Sequence, residues 1–216
     1  MIEQLSVRGG TVNTFRKRRG RLLAEQIRAL SGKLGRPLQI LDVGGRRDYW
    51  DNVGFNGIAR VTLLNIDPSE LGRKTSREDL FVDQIGDARN LANFADGSVD
   101  LYHSNSVIEH VGSWSDMKNM AEEARRVAIS GWVQTPAWEF PMEPHFRLPF
   151  IHWLATPART SLLAIAPNYG GQDRHNRRLH AERINLLSKG EMRLLFPGCE
   201  IFIERILLAK SYTARW

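Results

Sequence analysis

Three acidic residues stand where short apolar runs end. Residues 38–43, LQILDV, pass through Asp42 into Gly44 and Gly45; residues 61–66, VTLLNI, close on Asp67; residues 80–85, LFVDQI, close on Gly86 and Asp87. Runs rich in Val, Ile and Leu bounded by turn residues are the pattern of buried parallel strands. An open α/β sheet binds its ligand in the crevice at the carboxyl ends of such strands, and an ionised carboxylate there accepts hydrogen bonds from ligand hydroxyls and amines. Gly44 and Gly45 let a ligand come close to the main chain. Asp67 follows Gly44 by 23 residues, and an acid about 20 residues beyond a glycine turn is how nucleoside-binding α/β folds hold ribose hydroxyls. Each feature alone has a plainer reading. A strand followed by Gly-Gly is commonly a tight turn, and Asp-Pro commonly opens one.

The elements that must position these groups alternate along the chain. Over residues 14–35, Phe15, Leu23, Ile27, Leu30 and Leu34 recur near helical spacing, with Gly35 as the stop. Strands follow over 38–43, 61–66 and 80–85, and a fourth begins at Val99 in VDLYHSNS. Helical spacing resumes across Met117, Met120, Ala121, Ala124 and Val127, and residues 131–135 form a fifth strand. Strand and helix at this pitch make a doubly wound parallel sheet.

A chain of 216 residues with 42% hydrophobic and 25% charged residues is long enough for one domain with a proper core. Its single cysteine, Cys199, excludes an internal disulfide framework and a Cys-rich zinc site, and suits a reducing, cytoplasmic setting. The net charge of +6 is uneven: in residues 1–37 nine basic side chains against two acidic leave +7, and the remainder stands at −1. A basic amino-terminal arm can meet anionic lipid, nucleic acid or a phosphorylated substrate, or simply be a solvated helix face. The opening residues lack the apolar core of a secretory signal. Residues 148–167 are interrupted by His152, Arg159 and prolines, so they do not span a bilayer, though they could rest against one peripherally.

The series LDVGG, LLNIDPSE, GDARNL and FADGSVDLYHSNSVIEHV resembles, in order and spacing, the class I S-adenosylmethionine-dependent methyltransferases, and within them the type 11 group. The resemblance implies a Rossmann-like fold: a mostly parallel seven-stranded sheet, helices on both faces and a C-terminal antiparallel hairpin from residues 199–208 and 211–216, in a single domain over 1–216. It also implies S-adenosyl-L-methionine as cofactor. Asp42, Gly44 and Gly45 would form the loop under its methionine part, with Asp42 near the amino group. Asp67 would take both ribose hydroxyls, Asp87 the adenine amino group, and the Ala88 N–H a ring nitrogen. Ser104 and Asn105 would face the amino group and the transferring methyl. One departure stands out: Arg46 and Asp48 occupy positions where the family's loop usually carries further glycines.

Methyl transfer from a sulfonium is a direct displacement, so alignment and exclusion of water do most of the work. A base is needed where the acceptor holds its proton, and histidine is the usual one. His145 and then His110 are the candidate catalytic residues, with His152 third. His110 follows the fourth strand where the family often places a histidine. His145 and His152 lie in residues 136–157, an aromatic, proline-broken insertion suited to a pocket wall or lid. For each the plainer reading is a structural hydrogen bond. Residues 168–183, polar and basic with Gly170 and Gly171 as hinge, read as a mobile loop over the site or a solvated one, together with 136–157 a substrate-side insertion. His175 and His180 lack partners at metal-ligand spacing, and no metal is expected.

These residues point to methyl transfer onto an oxygen or nitrogen of a small molecule such as a sugar, a lipid-linked glycan or a secondary metabolite. The basic arm and the apolar 148–167 stretch motivate an anionic membrane surface as partner, which retention on anionic vesicles in low salt would reveal. RNA as acceptor is less well supported, since the arm shows no aromatic stacking pattern. The altered loop at Arg46 and Asp48 motivates a third reading, a non-catalytic binding or partner subunit.

Overall fold

The computed structural model describes residues 10–72 and 75–216, and of residues 10–13 the backbone alone. The first nine residues of the basic arm, Arg8 among them, lie outside that description, as do residues 73 and 74 of the charged connection. Seven strands form one sheet in the order β3-β2-β1-β4-β5-β9-β8: β1 (Leu38–Val43), β2 (Ile58–Asn65), β3 (Phe81–Ile85), β4 (Val99–Asn105), β5 (Ala128–Pro136), β8 (Glu200–Ile206) and β9 (Leu208–Arg215). β1 is parallel to both β2 and β4, β2 is parallel to β3, and β8 and β9 make the antiparallel hairpin. This is the mostly parallel seven-stranded Rossmann-like sheet with a C-terminal hairpin that the resemblance implies. Contacts along the chain gather into two compact units, one of residues up to Ser104 with Ala124–Trp132, the other of Asn105–Glu123 with Val133–Trp216.

In the first unit, helix α1 (Gly10–Leu34) ends at Gly35, whose φ of +67° is the left-handed cap that glycine adopts without strain. Leu23 and Ile27 of α1 are buried with Leu38, Ile40, Val61, Leu63, Leu101, Trp50 and Trp132 in one core. Both faces of β1 are covered, which is why its sequence is almost continuously apolar. Arg36 forks onto Asp100 of β4 at 2.7 and 2.8 Å, and the Gln39 N–H donates to the same carboxylate at 2.7 Å. β2 begins three residues earlier than its apolar pattern suggests and stops at Asn65, leaving Ile66 69% exposed.

In the second unit, helix α3 (Trp114–Val127) begins and β5 ends. The proline-broken stretch after β5 forms a two-stranded ribbon, β6 (Met142–Glu143) against β7 (Leu148–Pro149), then a 3-10 turn and α4 (Thr156–Leu162). Residues 168–183 are not a loop throughout. Asp173 caps α5 (Arg174–Arg183) by accepting from the Asn176 N–H at 2.8 Å, an N-cap that outweighs the polar composition. Gly170 is no open hinge either, because a Cβ there would lie 2.7 Å from the Ala164 carbonyl oxygen. Phe146, Ile151, Leu163, Ala166, Ala181 and Ile184 form this unit's own core. Helix α6 (Lys189–Leu195) starts from a capping box of Ser188 and Glu191. Among the described residues no helix is long and apolar enough to cross a membrane.

Candidate functional site

The turn after β1 is built from beneath. Asp42 is fully buried, and both of its oxygens are taken: the Trp50 indole N–H donates to Oδ2 at 2.7 Å, and His103 Nδ1 lies 2.6 Å from Oδ1. Parallel pairing puts His103 of β4 directly beside Asp42, and Trp50 comes from the four-residue helix α2 (Arg47–Trp50). Tyr49 stacks on the His103 ring, which the Trp50 ring meets edge-on. Enclosed this way, the Asp42 carboxylate braces the glycine turn from within the core.

Directly above it, a Cβ on Gly45 would fall 1.7 Å from Asp42 Oδ2, so no side chain fits there. Gly44 has φ +66°. The Asn65 amide donates to the Gly45 carbonyl at 3.0 Å and fixes the turn from β2. The chain then passes into α2 where further glycines were expected. Arg46 pairs with Asp48 at 2.9 Å, and Trp50 inserts below. In this chain a helical turn pinned by Trp50 replaces the rest of the glycine loop.

Asp67 lies two residues past β2, exposed, with one oxygen accepting from the Ser69 N–H at 2.8 Å. Hydrogen bonds from Ser69 hold its carboxyl below the ordinary carboxylate range, so it is an acceptor at neutral pH. Asp87 is held differently, by Arg89, at 2.6 Å from the guanidinium and 2.9 Å from the backbone N–H. Ala88 beside it is buried. Ser104, at the end of β4 and level with Val43, is buried with its hydroxyl in no hydrogen bond.

In the second unit, Asn105 carries a buried side-chain oxygen that likewise has no hydrogen-bond partner. Ser106 then takes φ +58°, uncommon for a residue with a side chain, and a 3-10 turn of Ile108–His110 follows. The turn presents Glu109 and His110 to His145. His110 Nε2 and His145 Nε2 are 3.0 Å apart with perpendicular rings. His145 Nδ1 lies 2.6 Å from Oε1 of Glu143 on β6, whose other oxygen accepts the Phe146 N–H. Glu109, fully buried, accepts from the Thr135 hydroxyl at 2.9 Å through Oε2, and its Oε1 lies 4.0 Å from His145 Nε2.

Burial drives the electrostatics of this cluster. It pushes the Glu109 carboxyl up to about 7, against the opposing attraction of His145. It also pulls His110 well below the ordinary imidazole value, and His145 adds repulsion, although the His110 side chain remains open to solvent. Burial pulls His145 down too, but the Glu143 carboxylate outweighs it and the net direction is up. His152 is absent from this group. Its Nε2–H donates to the Trp138 carbonyl at 2.9 Å, the structural role weighed for it above.

The structure thus brings His145 and His110 together, as two ring nitrogens in contact. It adds Glu109, Glu143 and Thr135 to them, and Asn65, Trp50 and His103 to the glycine turn, none of which stood out in the sequence. The signals available were weak: Glu143 precedes His145 by two residues, and His103 precedes Ser104 on β4.

A family model described as a methyltransferase domain matches residues 41–132, which include the glycine turn, Asp67, Asp87 and the turn bearing Glu109 and His110. Over those residues the chain is similar to that family. An uncharacterized methyltransferase of Mycolicibacterium gilvum (strain PYR-GCK) is 36% identical over 109 residues, which are 48% of this chain and 40% of that protein. The chain therefore spans about two fifths of the length of that curated relative. Among solved structures, monomeric WbdD aligns with 91% of this chain and 40% of its own at 17% identity and TM-score 0.56. The CurJ carbon methyltransferase aligns with 83% of this chain and 48% of its own at 12% identity and TM-score 0.53. At such identities the likeness is one of fold. The fit of a nucleoside cofactor rests on this chain's own residues. The turn has no room for a side chain at Gly45 and takes φ +66° at Gly44, an exposed ionised Asp67 follows it, and Ser104 offers a buried hydroxyl that bonds nothing.

Proposed function

We propose that this chain is an S-adenosylmethionine-dependent methyltransferase whose acceptor is an oxygen or nitrogen of a small molecule, a sugar, a lipid-linked glycan or a secondary metabolite. The observation that carries the reading is the Gly44–Gly45 turn, locked from below by Asp42 and followed by the exposed Asp67. Gly44 and Gly45 would lie under the methionine part, Asp67 would accept from the ribose hydroxyls, Asp87 and Ala88 would meet the adenine, and Ser104 and Asn105 the amino end. The cofactor supplies a methyl group on a positively charged sulfur. The chain's part is to hold that group in line with the acceptor and keep water out. An acceptor hydroxyl must also lose its proton, and His145 and then His110 are the candidate bases in this reading. The pair Arg46–Asp48 does not count against cofactor binding. The cofactor carries no phosphate, so the loop need not be a nest of N–H groups.

Calorimetric titration with S-adenosylmethionine and with its demethylated product tests the reading. Micromolar binding of both is expected, weakened about tenfold or more in Asp67→Ala, which removes the charged acceptor for two hydroxyls. A folded chain that binds neither would leave the partner-subunit reading in its place.

A further inference from the structure

We propose that Glu109, His110 and His145 form a binding site for one divalent transition-metal cation, with Zn2+ or Co2+ as the fitting class. Three observations converge. First, two imidazole Nε2 atoms face each other at 3.0 Å. Nitrogens about 2.1 Å from a common ion stand roughly 2.9–3.4 Å apart across angles between square and tetrahedral, so the pair is already spaced as two ligands. Second, Glu109 is fully buried, its Oε2 takes the Thr135 hydroxyl, and its Oε1 has no hydrogen-bond partner. A buried carboxylate oxygen that bonds nothing is costly, and a cation would satisfy it. The two nitrogens and this oxygen all lie within 4.8 Å of one another.

Third, the outer partner of His145 is placed as it is beside a metal-bound histidine. His145 gives its other nitrogen to the buried Glu143. Such a partner fixes the His145 ring so that its remaining nitrogen points its lone pair at the ion. Glu143 is itself held by the Phe146 N–H. Two imidazoles and one carboxylate favour Zn2+, Co2+ or Fe2+ over Mg2+ or Ca2+, which prefer all-oxygen sites. Three protein ligands leave positions open, and His110 is exposed, so an acceptor oxygen could enter from solvent. The inference rests on reading this cluster as the acceptor side of the reaction, and it puts an ion in place of a lone imidazole base.

The test is direct metal binding by the full chain stripped with chelator. Equilibrium dialysis against Zn2+ and the visible absorption of added Co2+ are read alongside titration with S-adenosylmethionine. One ion per chain is expected. His110→Ala/His145→Ala should abolish it, and Glu143→Gln should weaken it by about tenfold or more, as loss of an outer partner does. Unfolding transitions confirm that each variant is folded; if the double variant is not, His110→Ala alone, at an exposed position, carries the test. Absence of binding by the wild type overturns the proposal, as does equal binding by the folded variants, which would put the ion at another site. A chain that binds Co2+ but no S-adenosylmethionine keeps the metal site and loses the methyltransferase reading. One that binds S-adenosylmethionine but no ion does the reverse.

Discussion

Asp42 shows how far a residue's neighbours decide its work. At the end of an apolar strand and before two glycines it has every mark of a ligand-binding acid, yet its two oxygens serve Trp50 and His103 inside the core. Replacing it leaves an indole N–H and an imidazole nitrogen buried without an acceptor, each costing about 1–3 kcal/mol. Asp42→Ala is therefore expected to lower unfolding free energy by about 3 kcal/mol in denaturant titration, and to weaken S-adenosylmethionine binding because the turn above it loses its brace. Asn65 is the converse. An ordinary strand residue by sequence, it reaches across to the Gly45 carbonyl and shapes the site without needing to touch a ligand.

At the scale of elements, the β1 turn and helix α1 place opposite demands on glycine. At Gly45 an added methyl would overlap Asp42 at 1.7 Å, whereas at Gly32, in α1, it would meet nothing within 4 Å. Gly45→Ala is expected to destabilise the protein and abolish cofactor binding. Gly32→Ala should raise stability by about 0.5–1 kcal/mol, the helix-propensity difference, and leave binding unchanged. Thermal melts and calorimetry on the two variants separate a glycine kept for packing from one that is dispensable. Helix α2 belongs to the same scale, since one turn carrying Trp50 does structurally what a longer glycine loop would otherwise do.

At the scale of the whole molecule, the positive charge concentrated in the first 37 residues is partly taken up by the fold. Arg36, closing α1, is spent on Asp100 of β4. Burial tends to raise the Asp100 carboxyl, but the Arg36 guanidinium and the Gln39 N–H outweigh it, and its net direction is down. A carboxyl lowered on folding contributes stability above its unfolded pKa, about 3.9, and loses it as pH falls through the lower folded value. Asp100→Asn should accordingly be less stable than wild type at pH 7, and the difference should narrow as pH is taken from about 4 downward. Urea titrations across that range check it, and a constant difference would show that the charge is not what matters.

The first five strands and the glycine turn were legible because they rest on local regularities, runs of apolar residues and glycines with an acid at a fixed distance beyond them, whereas the seven-stranded sheet and its hairpin were implied by the resemblance and the strand order came from the structure. The exposed Asp67 belongs with these, since its position depends only on where β2 ends. What the sequence could not contain is which groups meet across strands and turns. That Asp42 faces His103 follows from the register of β1 and β4. That His110 and His145, 35 residues apart, touch through their ring nitrogens follows from how the turn after β4 and the β6–β7 ribbon pack together. The N-cap at Asp173 converted a polar loop into a helix for a related reason, a single side-chain bond to the backbone overriding composition. Sequence alone determined where the strands of an open α/β sheet run and where its glycine turn falls. Tertiary structure decided which of its acids are buried and paired, as Asp42 is, and which stay exposed, as Asp67 does, because burial and pairing depend on residues distant in the chain.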